Sequence, residues 1–96
     1  MIQITYDAAK QEILVEGHSG YAPHGQDIVC AGVSGAMWML EAMMPDHPKA
    51  ESEFASGRMR ICVPGRKARR LMERGMFVLK GIASRYRDNI RITEKY

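Results

Sequence analysis

Little in this 96-residue chain points to a membrane or an oxidising compartment. It has no run of about 18 apolar residues, the length a bilayer-spanning helix needs. Its opening, MIQITYDAAK, has no basic segment leading into an apolar one, so the expectation is a protein without a secretory leader, placed in the cytoplasm. Cysteine is scarce: Cys30 and Cys62 lie 32 positions apart, with no C-x-x-C pair, which argues against both a disulfide scaffold and a cysteine-rich zinc site. There is no internal repeat and no low-complexity segment. Aromatic residues are few, and the basic half of the chain barely interleaves them, so a platform for stacking nucleic-acid bases is weakly supported. What remains is one small globular domain over residues 1–96.

Charge is unevenly spread. Residues 1–57 carry two basic and eight acidic groups, a net of −6, and residues 58–96 carry twelve basic and three acidic, a net of +9. Such a split fits either two complementary solvated faces or a polyanionic partner. Arg58, Arg60, Arg66, Lys67, Arg69, Arg70 and Arg74 against Glu73 give a local net of +6, enough to hold phosphate.

Hydrophobic spacing predicts an α+β fold, β-β-α-β-β-α-β, with a mixed or antiparallel sheet packed against two helices. Residues 2–7 alternate Ile2, Ile4 and Tyr6 with polar positions, and 11–17 alternate Ile13 and Val15, a pair of hairpin strands. Asp27, in preference to Gln26, caps a helix whose inward residues are Val29, Val33, Met37 or Ala36, Leu40 and Met44, ending near Pro45. Gly32 and Gly35 inside it imply that a sheet, a loop or a second subunit packs closely there. Residues 50–56 and 58–63 form a second hairpin turning at Ser56-Gly57, with Met59, Ile61 and Val63 on one face and Arg58, Arg60 and Cys62 on the other. Residues 66–87 form the second helix, with Leu71, Phe77 or Val78, Ile82 and Tyr86 on or near its core face, and Ile90 and Ile92 lie in a last strand.

The stretch GHSGYAPHGQDIVCAGVS, residues 17–34, joins strand to helix and holds two of the three histidines and one of the two cysteines. With Asp27 as cap, Cys30 is the third helical residue, where unpaired amides lower a thiol's pKa from about 8.5 and can hold a developing oxyanion. His18, at a strand end across a glycine-containing loop, can share the thiol's proton; His24 competes, but between Pro23 and Gly25 its position is less fixed. Ser34 follows Cys30 by one turn on the same face, and Asp27 carries charge that can orient a histidine. The plainer alternative is that Cys30, among Val29, Ala31 and Val33, is a small buried hydrophobe. His47 reads as a solvated loop residue and Cys62 as structural.

This stretch resembles the signature of the Prp family of ribosomal-processing cysteine proteases: a Gly-His pair, a glycine-containing loop, then Gly-x-Asp-Ile-Val-Cys-Ala and a serine. Here it is carried by Gly17, His18, Gly25, Asp27, Ile28, Val29, Cys30, Ala31 and Ser34, with weaker similarity through ARRLMERGMFVLKGIASRYRDNIRI to the end. The resemblance implies a small cytoplasmic homodimer that needs neither metal nor organic cofactor. Its implied task is to remove an N-terminal extension from the large-subunit ribosomal protein L-twenty-seven, cutting after an aromatic and before a small residue. It implies Cys30 as nucleophile, His18 as base, Ser34 in support, and a gating loop, 19–26, containing Gly20, Tyr21 and Gly25; Asp27, by its charge, is the other supporting candidate. A phage structural precursor is the alternative substrate. A non-catalytic module that binds RNA or the ribosome through Arg66, Lys67, Arg69 and Arg70 is the alternative of a different class.

Overall fold

The computed structural model describes residues 1–23 and 27–96. Expectations that fall on His24, Gly25 and Gln26 lie outside the described residues. The elements run β1 (Ile2–Asp7), β2 (Glu12–Glu16), α1 (Ile28–Met43), β3 (Glu51–Ala55), β4 (Arg58–Cys62), α2 (Arg66–Arg85) and β5 (Ile90–Lys95). The order is the expected one, and both hairpins turn where expected.

The five strands form one sheet in the order β3-β4-β2-β1-β5. Three neighbouring pairs are antiparallel, while β1 and β5 run parallel, so the sheet is mixed. Period-two patterning puts Ile2, Ile4, Tyr6, Ile13, Val15 and Ile61 on one face, where all are buried. Both helices cover that face. From α1 come Val29, Val33, Met37 and Leu40, spaced at three and four residues as a helical stripe requires. Gly75 of α2 lets the helices close up: a Cβ there would lie 2.7 Å from Leu40 Cδ2.

The core face of α2 differs from the expected one. Ala68, Met72, Met76 and Leu79 point inward, while Phe77 and Val78 are exposed at 67% and 49% and Leu71, Ile82 and Tyr86 are half-buried at the margins. The helix carries two apolar stripes, and the sheet takes the one built from the narrower, flexible methionines, which fill irregular gaps. The stripe with Phe77 is left facing out.

The opposite face of the sheet is polar and tied together across strands. Arg58 bridges Glu16 (2.8 Å) and Glu53 (3.0 Å), and Arg60 bridges Glu12 and, at 3.5 Å, Glu51. These two arginines are thus neutralised in place and are withdrawn from the seven-cation patch counted from sequence. Arg66, Lys67, Arg69, Arg70 and Arg74 are exposed, and among the described residues they make no ion pair. Among the described residues, no helix is long and apolar enough to cross a membrane.

Candidate active site

Two local decisions of the sequence build the site. Gly17 ends β2 at φ 91°, a left-handed conformation that glycine alone takes without strain, and its N–H donates to the Gly57 carbonyl at 2.9 Å. This brings His18 beside the β3–β4 turn. Asp27 then caps α1: its Oδ1 accepts from the N–H groups of Val29 (3.0 Å) and Cys30 (2.9 Å), so Cys30 is the third helical residue, as expected.

Between these two points lies a cavity of about 480 Å³. His18, Gly20, Asp27, Cys30 and Ser34 all line it, together with Ser56 and Gly57 from the β3–β4 turn. Cys30 is a half-buried free thiol, and the His18 side chain is exposed beside it. The sulfur accepts the N–H of Ser19 at 3.3 Å. No hydrogen bond joins the His18 ring to the sulfur directly; both residues line the cavity.

Two expectations change in detail. The helix amides next to Cys30 are taken up by the Asp27 carboxylate, so they are not free to receive an oxyanion. The N-cap rule carries this outcome, because a capping carboxylate consumes the amides two and three residues on. Nor does Asp27 orient a histidine among the described residues: its second oxygen accepts the Ser19 hydroxyl. Ser19 is the residue that sequence reasoning missed. It has no periodic or motif signal, yet it is 3% exposed and touches both Asp27 and Cys30.

Tyr21 packs its ring edge-on against Tyr86, centroids 5.6 Å apart, and stays half exposed. It leans on the C-terminal end of α2 and is not among the residues lining the cavity. Gly20 takes φ 72° with open space where a Cβ would be. His47 is exposed, its Nδ1 accepting the Lys49 N–H at 3.0 Å, and Cys62 donates to the Lys10 carbonyl at 3.4 Å, its thiol pKa pushed up by burial. Both lie away from the cavity.

Asp27 gives the site a pH signature. Hydrogen bonds from the Ser19 hydroxyl first, then from the Cys30 and Val29 amides, hold its carboxyl down to about 2, below the ordinary 3.8, against an opposing push from burial. A depressed carboxyl stabilises the fold fully above its unfolded value and loses that contribution as pH falls to the folded value. The stability difference between the wild type and Asp27→Asn is therefore expected to shrink between about pH 4 and pH 2. Urea melts across that range check it; a difference independent of pH would contradict the assignment.

Gly57 offers a second test. It takes φ 76°, and a Cβ there would lie 3.0 Å from His18 Nε2. Gly57→Ala is expected to displace the imidazole and slow any reaction that uses it, with little change in the reactivity of Cys30 towards small alkylating agents at high pH, where the thiol ionises unaided. Equal losses in both measurements would point to a general collapse of the cavity.

Comparison with known proteins gives the family and the fold. The family model described as cysteine protease Prp matches residues 1–91. The ribosomal processing cysteine protease Prp of Bacillus subtilis (strain 168) is 32% identical over 108 aligned positions, covering 97% of this chain and 96% of the relative. The crystal structure of an essential ribosomal processing protease Prp from S. aureus, in complex with a covalently linked product peptide, superposes with a TM-score of 0.83 at 22% identity, covering 99% of this chain and all of the other. SMU.848 from Streptococcus mutans superposes with a TM-score of 0.71 at 22% identity, covering 99% of this chain and 94% of the other. At such identities the structural likeness speaks for the fold.

Proposed function

This chain belongs to the Prp family of cysteine proteases and is a hydrolase, and from that premise we propose that it removes an N-terminal extension from a ribosomal large-subunit precursor of the L-twenty-seven type, inside the cell, with Cys30 as nucleophile and His18 as base. The observation that supports the residue assignment is a cavity lined both by His18 and by a half-buried thiol at a helix start that receives a backbone N–H. The substrate follows the ribosomal processing names of the relatives.

In the proposed reaction the Cys30 thiol gives its proton to His18 and its sulfur bonds to the scissile carbonyl carbon. The C–N bond breaks as His18 returns the proton to the leaving amine, leaving a thioester. Water, losing a proton to His18, then displaces the sulfur and frees the new carboxylate. The Ser19 N–H, not the helix amides, is the donor beside the reacting sulfur. Ser34 lines the cavity one turn beyond Cys30 in a supporting role, and Gly20 and Tyr21 belong to the loop over which the peptide enters. The chemistry needs no cofactor.

The test is mass spectrometry of products formed from the extended precursor by untreated and iodoacetamide-treated enzyme. A single cut within the extension, lost on alkylation, is expected. Cleavage untouched by alkylation would end the cysteine-protease mechanism, and a phage structural precursor cut in preference would replace the substrate.

The same proposal includes a homodimer. Ile28, Met39 and Met43 on α1 and Phe77 on α2 are each more than half exposed. Ile28, Gly32, Gly35 and Met39 recur on one uncharged helical stripe; among the described residues, and apart from the helix's own backbone, nothing lies within 4 Å of a Cβ placed on Gly35, and only Ile82 Cδ1, at 4.0 Å, reaches one placed on Gly32. Of the three neighbours that the helical glycines imply, an exposed apolar stripe of this kind supports a second subunit. Light scattering should give twice the chain mass for the wild type and the monomer mass for Met39→Glu; a monomeric wild type would refute the pairing.

The exposed cations Arg66, Lys67, Arg69 and Arg70, free of carboxylate partners among the described residues, favour a second, additional contact with RNA. Its affinity would fall steeply with salt and survive alkylation of Cys30.

A further inference from the structure

Every polar group of Ser19 is engaged. Its N–H points at Cys30 Sγ (3.3 Å), its hydroxyl donates to Asp27 and accepts the Tyr21 N–H (3.0 Å), and its carbonyl accepts the side-chain amide of Asn89 (3.0 Å). The first three partners belong to the same loop and helix start. Asn89 comes from the turn before β5, 70 positions away. It is itself held at both backbone groups: its N–H donates to the Tyr86 carbonyl (2.9 Å) and its carbonyl accepts the Ile2 N–H (2.8 Å). The side chain that reaches Ser19 is thus anchored to the end of α2 and the start of β1 together.

We infer that Asn89 is a positioning residue for the nucleophile, holding the Ser19 carbonyl so that the Ser19 N–H stays aimed at the Cys30 sulfur. The inference rests on Cys30 being the nucleophile. Fixing a residue's carbonyl restricts its ψ, and the Ser19 hydroxyl bound to Asp27 restricts the side chain; with both held, the Cα and the amide nitrogen bonded to it are held in place beside the sulfur. That direction matters because the neighbouring helix amides are spent on Asp27. An N–H donated to sulfur favours thiolate over thiol. Among the described residues, the titratable groups that line the cavity with the sulfur are His18 and Asp27, and Asn89 donates its side-chain bond to neither. Its influence on the thiol therefore runs through Ser19. Without Asn89 the part-buried Ser19 carbonyl loses its partner, and the segment shifts to find another.

The experiment uses the full chain with Cys62→Ser, so that Cys30 is the one thiol read. Asn89→Ala and the isosteric Asn89→Asp are compared with that background in three measurements: the pH dependence of iodoacetamide alkylation, the Ser19 amide resonance, and cleavage of the extended precursor. The alkylation midpoint is expected to rise by about one pH unit, a tenfold loss of thiolate below it. The Ser19 amide proton should move upfield, and kcat should fall about tenfold with KM little changed. Asn89→Asp separates positioning from packing. Protonated at low pH, the new side chain still donates to the Ser19 carbonyl; ionised, it repels it. Its Ser19 resonance should therefore approach the background value at low pH and depart from it as the carboxyl ionises. Should Asn89→Ala fail to fold, the isosteric variant carries the test. Background midpoint and background Ser19 resonance in the folded variants would overturn the inference while leaving the protease reading intact. Cleavage by a Cys30→Ala enzyme would instead remove the reading on which it rests.

Discussion

Cys30→Ala is expected to abolish processing of the extended precursor, a loss of about three orders of magnitude or more, while the protein stays folded. The side chain is half-buried at the start of α1 and at the margin of the core, so losing one sulfur leaves the helix cap and the stripe of Val29, Val33, Met37 and Leu40 in place. Cys30→Ser should fail almost as badly, because a hydroxyl without a strong base is far from ionised at neutral pH. His18→Ala should also lose activity, but differently. Its thiol remains, so alkylation continues, with a midpoint moved towards the free-thiol value of about 8.5. His24→Ala is expected to keep much of the activity. The pH profile of alkylation in the two histidine variants decides between them: a raised thiol midpoint in His24→Ala alone would reverse the assignment.

The largest expected loss of stability is at Ile13. It sits in β2, the middle strand of five, and its cross-strand partners are Tyr6 on β1 and Ile61 on β4. All three are fully buried on the helix-covered face. Ile13→Ala removes three carbon atoms from a place walled by a ring, a branched side chain and two helices, where little can collapse into the space. Such substitutions cost about 2–5 kcal/mol, a large part of the 5–15 kcal/mol that holds a typical domain together. Denaturant melts of the purified protein measure it. A change below about 1 kcal/mol would mean that the cavity refills by rearrangement of the neighbouring methionines.

The features legible in the sequence were those set by local rules. Alternation located β1, β2 and β4, glycine located the end of β2 and the β3–β4 turn, and the Asp27 cap with Pro45 bounded α1 almost to the residue. The chemistry-bearing stretch was legible for the same reason, since Gly17, His18, Asp27 and Cys30 lie within fourteen positions. The inward face of α2 was not. Two apolar stripes with the same period compete there, and only the shape of the sheet chooses Met72 and Met76 over Phe77 and Val78. Nor were the partners of the polar groups legible. Ser19 and Asn89 meet across the whole fold, and a single serine and a single asparagine leave no pattern to read. Arg58 and Arg60 looked like part of a cationic surface until the register set them against Glu12, Glu16, Glu51 and Glu53.

The parallel pairing of β1 with β5 bears on the order in which the protein assembles. Ile2 pairs with Ile90, 88 positions later, whereas both hairpins close over a few residues. Chain closure over that distance is entropically the last to be repaid, so the hairpins and helices are expected to form first and β5 to dock at the end, on the slower side of small-domain folding. Asn89 immediately precedes β5 and arrives with it. A folding intermediate would thus hold the cysteine, the histidine and the helix cap, yet lack the tie that aims the Ser19 amide. In a refolding experiment, fluorescence of Trp38 beside Phe54 should recover before the reactive thiol does, and the interval between them would measure the time the nascent enzyme spends complete in its parts but silent.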